Sequence, residues 1–343
     1  MTSNRPSGAE ARGQRPRVLL LADDPLFATL FGPEAIARLE AVADWERYAD
    51  REETPELASH VARADVLLTT WHSPFLQSRL LEGTPVQLIV HCGGELGTRM
   101  EPAILDRVTV VNTPEPMAHP VAEMALAMSL ALVRRLPDYE RAMRAGAVPD
   151  NRVAAVGETL HGRRVGLVGL GRVGQAFAKL VAPFEVELLA YDPYCPGDTA
   201  QRAGVRLLAL DDLLRSCAVV ILAAGLTGET RALLDRRRLA LLPDGALLVN
   251  VARGGLVDLD ALLAELSAGR LSAALDVTDP LEPLPAEHPF RRLPNVLLTP
   301  HVAAGGIEVR RAMGAAAIDA VERFVRGEPQ RNVVTCAMLE RMT

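Results

Sequence analysis

At 343 residues the chain is roughly twice the length of a common domain, so two domains are expected. Hydrophobic residues at 49% and charged residues at 23% exclude an intrinsically disordered polypeptide. With 37 Lys+Arg against 43 Asp+Glu the formal net charge is −6, so no basic excess suggests nucleic-acid binding, and a sole lysine, Lys179, excludes a phosphate-binding P-loop.

In chain order, the polar, Arg-bearing stretch before Val18 has no apolar core of a secretory signal, and residues 1–16 read as a disordered tail. From there short apolar runs alternate with amphipathic stretches. Val18–Ala22, Val66–Thr70, Val86–Val90 and Val108–Asn112 are expected strands, with helices at Glu34–Ala43 and Pro55–Ala64. Strand–helix alternation means parallel strands with helical crossovers. Pro114, Pro116 and Pro120 break the chain before a long, nearly all-apolar helix over Val121–Arg135, expected to be buried on more than one side. A second α/β unit then opens, with expected strands at Val165–Val168, Val186–Tyr191, Ala218–Leu222, Ala246–Val251, Ala273–Val277 and Val296–Thr299. A helix over Ile307–Val325 is long enough to return to the first unit. No run approaches the roughly 18 apolar residues of a membrane span. Cys92, Cys195, Cys217 and Cys336 are scattered without a C-x-x-C pair, and the histidines show no ligand spacing, so a reducing, cytoplasmic setting and no metal are expected.

The sharpest local pattern is Gly169-x-Gly171-x-x-Gly174. A strand runs into it, a helix (Gln175–Val181) leaves it, and a second strand ends at Asp192, 18 residues beyond Gly174. Here Gly169 permits the tight turn, Gly171 lets the backbone approach a pyrophosphate, and Gly174 allows close helix–strand packing. The helix N-terminus offers its unpaired N–H groups to the phosphates. Asp192 would accept the ribose hydroxyls and repel a 2′-phosphate, which favours NAD over NADP.

Downstream, Arg253, Asp276 and His301 each stand at the end of an expected strand, and Glu282 lies in a proline-stiffened loop. Ionisable groups at the carboxyl ends of strands in one parallel sheet point toward the same crevice. With Leu226-Thr-Gly-Glu-Thr-Arg231, Asn250-Val-Ala-Arg-Gly-Gly-Leu-Val-Asp258, Leu275-Asp-Val277, Glu282-Pro283 and Leu298-Thr-Pro-His301, the chain resembles the D-isomer-specific 2-hydroxyacid dehydrogenase family, strongly from about Val121 to Gly305. That resemblance implies two doubly wound parallel-sheet α/β domains. A Rossmann-type cofactor domain (residues 114–305) is inserted into a flavodoxin-like substrate domain (17–113 plus 306–343), in a homodimer built around the long helix.

The resemblance also implies the chemistry: NAD-dependent interconversion of a 2-oxo acid and a D-2-hydroxy acid by hydride transfer. His301 acts as acid/base, Glu282 orients the imidazole, and Arg253 binds the substrate carboxylate. Asp276 would bond the nicotinamide carboxamide, and Arg172, Val173, Ala252 and Gly305 complete the cofactor contacts. Gly93, Gly94 and Glu95 take the place of the loop that cradles the substrate carboxylate, where Glu95 is an odd neighbour for an anion. Trp71 and His72 fall where the family lines its cleft, although packing is the plainer reading of Trp71. Two alternatives remain: a dehydrogenase of a phosphorylated or inorganic anion such as 3-phosphoglycerate or phosphite, with Arg99 as the one nearby extra cation, and an NAD(H)-sensing, corepressor-like protein.

Overall fold

Continuous Val/Leu/Ile runs fold as strands buried on both faces, as parallel sheets require. The computed structural model describes residues 15–147 and 157–339. Of the expected disordered tail, residues 1–14 lie outside this range. The chain divides into two units, one formed by residues up to Pro116 together with those from Gly305, the other by Met117–Ala304.

The first unit holds a parallel sheet in the order β2-β1-β3-β4-β5: β1 Arg17–Leu21, β2 Asp44–Tyr48, β3 Val66–Thr69, β4 Leu88–His91 and β5 Thr109–Asn112. β1, β3 and β4 are apolar and almost fully buried, and they pair in register (Leu19 with Leu67, Leu67 with Ile89). β2 sits at the edge, paired to β1 alone, and its Asp-Trp-Glu-Arg-Tyr alternates exposed and half-buried residues, which hides it from an apolar-run search. The Ile307–Val325 helix packs on Asp24–Leu30 and Pro33–Val42 through Arg38, which pairs with Asp319 and Glu322, and through Gly314, which meets the Leu30 backbone.

The second unit holds a parallel sheet in the order β12-β11-β10-β9-β6-β7-β8: β6 Arg164–Val168, β7 Glu187–Tyr191, β8 Arg206–Leu207, β9 Val219–Leu222, β10 Leu247–Asn250, β11 Ser272–Leu275 and β12 Val296–Leu298. Growth outward in both directions from β6 is the doubly wound pattern, with its switch point beside β6 and β9.

The long helix differs from expectation. It runs from Glu115 to Val133 and carries Pro120 inside, whereas its start was expected at Val121. Pro116 falls in the first turn, where backbone N–H groups lack helical partners in any case, so the prolines delay the helix less than their number suggests. Arg135, in the left-handed region (φ 54°), divides it from a further helix, Leu136–Arg144, which buries none of its residues. By length and composition Glu115–Val133 also meets the measure of a bilayer-spanning helix, contrary to expectation, because an interrupted run can be apolar on average around His119 and Glu123. Its Ala122, Ala125 and Met128 join Phe177, Val181 and Leu167 in the second unit's core, while much of the rest of the helix is left partly exposed, against the expectation of burial on more than one side.

Candidate functional site

At the end of β6 the chain turns into the helix Arg172–Val181, with Gly171 as its N-cap. Gly169 adopts φ +97°, and a Cβ on it would stand 2.7 Å from the Ala224 nitrogen. A Cβ on Gly174 would stand 2.4 Å from the Gly169 carbonyl oxygen, whereas around Gly171 there is nothing within 4 Å. The outer glycines are therefore required by packing, while the middle one faces open space. This arrangement fits a dinucleotide pyrophosphate. Arg172 and Val173 form the first helical turn beside that space. Asp192 follows β7 directly; its Oδ2 accepts the Leu170 N–H at 2.8 Å and its Oδ1 the Tyr194 N–H at 2.9 Å. A carboxylate has about four acceptor sites, so two remain for ribose hydroxyls.

The other ionisable residues sit on the three neighbouring strands β10, β11 and β12. Past β10, the buried Asn250 fixes the turn bearing Arg253: its Nδ2 donates to the Arg253 carbonyl at 2.9 Å and its Oδ1 accepts the Ala252 N–H at 3.0 Å. Gly254 has no room for a side chain, since a Cβ would lie 2.1 Å from the Thr278 carbonyl carbon. The Arg253 turn and the 276–283 loop are thus packed backbone to backbone. The Arg253 Nη1 donates to the Ala252 carbonyl at 2.7 Å.

Past β12, His301 is held in the left-handed region (φ 54°), an uncommon backbone for a residue with a ring. Its N–H donates to the Asp276 carbonyl at 2.8 Å, and its Nδ1 lies 2.8 Å from Glu282 Oε1. An ionised carboxylate only accepts, so Nδ1 donates and Nε2 becomes the working end of a half-exposed ring. Asp276, only 2% exposed, explains how the strained turn is kept. Its Oδ1 accepts the Thr299 hydroxyl (2.6 Å) and the Val302 N–H (2.9 Å), and its Oδ2 the Ala303 N–H (2.9 Å). Asp276 thus clamps the His301 turn, so the contact expected of it, to the nicotinamide carboxamide, would have to come from a carboxylate already holding three donors. Glu282 and Asp276 also border a cavity of about 400 Å3 with Thr278, Leu284 and Leu298.

In the first unit the Cys92–Arg99 loop is built around a buried ring. His91 bonds Thr69 Oγ1 through Nδ1 at 2.9 Å, and its Nε2 is buried without a partner among the described residues. A Cβ on Gly93 would lie 2.5 Å from that nitrogen and 3.1 Å from Trp71 Nε1, so this position accepts glycine alone. Asn112 Nδ2 holds the Gly94 carbonyl at 2.8 Å. Glu95 turns its charge inward: its oxygens accept the Thr98 N–H (2.7 Å) and hydroxyl (2.9 Å), with Arg99 Nε at 3.6 Å. The carboxylate that seemed out of place beside an anion is thus neutralised within its own loop. Burial raises the Cys92 thiol to about 12, which makes it inert. Gly305 is exposed and opens the stretch that returns to this unit.

Residues 126–303 match the NAD-binding domain of the D-isomer-specific 2-hydroxyacid dehydrogenases. The chain belongs to that family. A glyoxylate reductase of Pyrococcus horikoshii is 33% identical over 314 residues, covering 88% of this chain and 93% of that protein. A D-3-phosphoglycerate dehydrogenase of Methanocaldococcus jannaschii is 32% identical over 92% of this chain but 59% of its own length, so the chain spans about three-fifths of that relative. Among solved structures, the TT0316 protein of Thermus thermophilus is 31% identical with a TM-score of 0.76, covering 93% of this chain and all of that one. Family membership brings NAD as the cofactor of the second unit.

Sequence reasoning missed several contributors. Thr299 and Asn250 were noted only as parts of motifs; for Asn250 a buried amide at a strand end was the available signal. Asp23 and Arg51 gave none, and His72 was noted without its partner, because the three lie far apart in the chain.

Proposed function

We propose that the chain is an NAD-dependent dehydrogenase that interconverts a 2-oxo acid and a D-2-hydroxy acid, with His301 as the acid/base. The observation that carries this reading is the 2.8 Å Glu282–His301 pair, clamped by Asp276 at the carboxyl end of the sheet that also bears the glycine loop. NADH, when bound, supplies the hydride to the substrate's keto carbon. His301, protonated, gives its Nε2 proton to the carbonyl oxygen, and Glu282 on Nδ1 supports the ring while it carries charge. Arg253 takes the substrate carboxylate with its planar fork. Glu95, bonded to Thr98 within its own turn, shapes the Cys92–Arg99 loop of the first unit.

Half-exposed Val121, Met124, Leu126 and Leu130 along the long helix support its use as the face of a homodimer. Four unpaired cysteines support a reducing, cytoplasmic setting. His301→Ala is expected to lower NADH-dependent reduction of accepted 2-oxo acids at least a thousandfold while NADH binding, followed by fluorescence titration, persists. Turnover retained, or NADH binding lost along with turnover, would refute the assignment. A purely NAD(H)-sensing role predicts binding with no turnover on any oxo acid.

A further inference from the structure

Glu282 is carried by a loop that leaves β11 and ends at the short helical turn Pro289–Arg291. The start of this loop is fixed, because the Thr278 backbone is pressed against Gly254. Beyond that point the packing gives out. A cavity of about 400 Å3 is bordered by Thr278, Glu282, Pro283 and Leu284 of the loop and by Leu275 and Leu298 of the sheet. A side chain that borders a cavity has fewer neighbours to hold it than one in a close-packed core. The Glu282 side chain is also 36% exposed, so core packing alone does not decide where its carboxylate stands. Yet Oε1 meets His301 Nδ1 at 2.8 Å, and something else must set that distance.

Two guanidinium groups grip the loop on either side of Glu282. Ahead of it, Arg231 Nη1 donates to Asp279 Oδ2 at 3.0 Å. This pair lies against Gly255, where a Cβ would stand 2.9 Å from that oxygen and 3.1 Å from that nitrogen, so the glycine makes room for it. The Thr278 hydroxyl, donating to the Leu281 carbonyl at 2.5 Å, closes the turn between. Behind Glu282, Arg291 Nε donates to the Pro285 carbonyl at 2.8 Å and Nη2 to the Leu284 carbonyl at 2.6 Å. Both arginines are exposed, so these contacts add little to global stability. What they fix is a position, because a planar guanidinium holds its acceptors in a set geometry.

We propose that Arg231 and Arg291 are positioning residues that stretch this loop beside the cavity and hold Glu282 on the Nδ1 of His301. The inference rests on the acid/base reading of His301 above. Misplacing a catalytic group by about 1 Å costs about a hundredfold, and losing one of two grips displaces Glu282 only in part. Arg231→Gln and Arg291→Met are each expected to lower kcat for an accepted 2-oxo acid about tenfold, with the NADH Kd and the urea midpoint unchanged. Asp279→Asn, which removes the first grip from its other side, should match Arg231→Gln, and Arg231→Lys should recover much of the loss. A second readout needs no turnover. In protein labelled with 15N-histidine, at a pH where the ring is neutral, the His301 signal, assigned by its loss in His301→Ala, should show the proton on Nδ1. In Arg231→Gln and Arg291→Met it should move in part to Nε2. Unchanged kcat and ring signal in both variants, or a loss of kcat that comes with weaker NADH binding or a lower urea midpoint, overturns the inference. Failure of the wild type to reduce any 2-oxo acid overturns the acid/base reading instead, and the ring signal still decides whether the arginines hold Glu282 in place.

Discussion

At Asp192 both carboxylate oxygens already hold backbone amides, one of them from the glycine loop, so truncation there acts twice. It removes the acceptor for the ribose hydroxyls, and it releases the Leu170 amide that keeps the loop in shape. Asp192→Ala is therefore expected to weaken NADH binding about tenfold or more, since charge-assisted bonds contribute about 1.5–3 kcal/mol each, and to narrow the preference for NADH over NADPH. Fluorescence titration with both nucleotides reads the two effects separately; an unaltered preference would refute the ribose role. The glycine pattern was legible because each glycine answers a local demand: Gly169 and Gly174 leave no space for a methyl group, and Gly171 faces open space. The His72–Asp23 pair was not. Its members are 49 residues apart and meet only because β1 and β3 are neighbours in the sheet. Sequence spacing carries no record of such a contact.

Elements were legible in proportion to their burial. β1, β3 and β4 announce themselves as apolar runs, whereas edge strands β2 and β8 are largely exposed and read as loop. The Leu136–Arg144 helix buries nothing and was missed on the same ground. In the Ile307–Val325 helix the informative residue is Gly314, which an Ala-rich, strongly helical context makes look like a defect. Its position explains it: a Cβ there would stand 2.0 Å from the Leu30 carbonyl oxygen. Helix propensity alone would reward Gly314→Ala by about 1 kcal/mol, but forcing a methyl into a packed contact costs about 1–3 kcal/mol. The contact is with backbone, which yields little, so the clash should win. A net loss of at least about 1 kcal/mol in denaturant unfolding is the expected outcome, and a stabilised variant would contradict the close approach.

At the scale of the molecule, the buried histidine sets how the fold responds to acid. Burial, with a smaller contribution from the Arg99 charge, pushes the His91 pKa down from 6.5 to about 3. The unfolded chain therefore takes up this proton first. The stabilisation is complete above pH 6.5 and falls as pH drops from 6.5 toward 3, by at most about 1.4 kcal/mol per pH unit. Asp23, whose carboxyl is lowered, adds a loss in the same direction at lower pH, as pH falls through its folded value. Urea midpoints measured between pH 7 and 5 should decline for the wild type, with a flatter slope in His91→Asn. Equal slopes would show that the ring is protonated in the folded state.

The first unit is closed by residues from both ends of its sequence. Val334 donates to the Val110 carbonyl, and the Ile307–Val325 helix seats on Asp24–Leu30. During synthesis, therefore, the opening segment leaves the ribosome nearly two hundred residues before its closing helix exists, while the nucleotide-binding half already has all its strands. A nascent chain should pass through a stage in which one half is finished and the other still waits with apolar surface uncovered, the stage at which a chaperone would have most to bind.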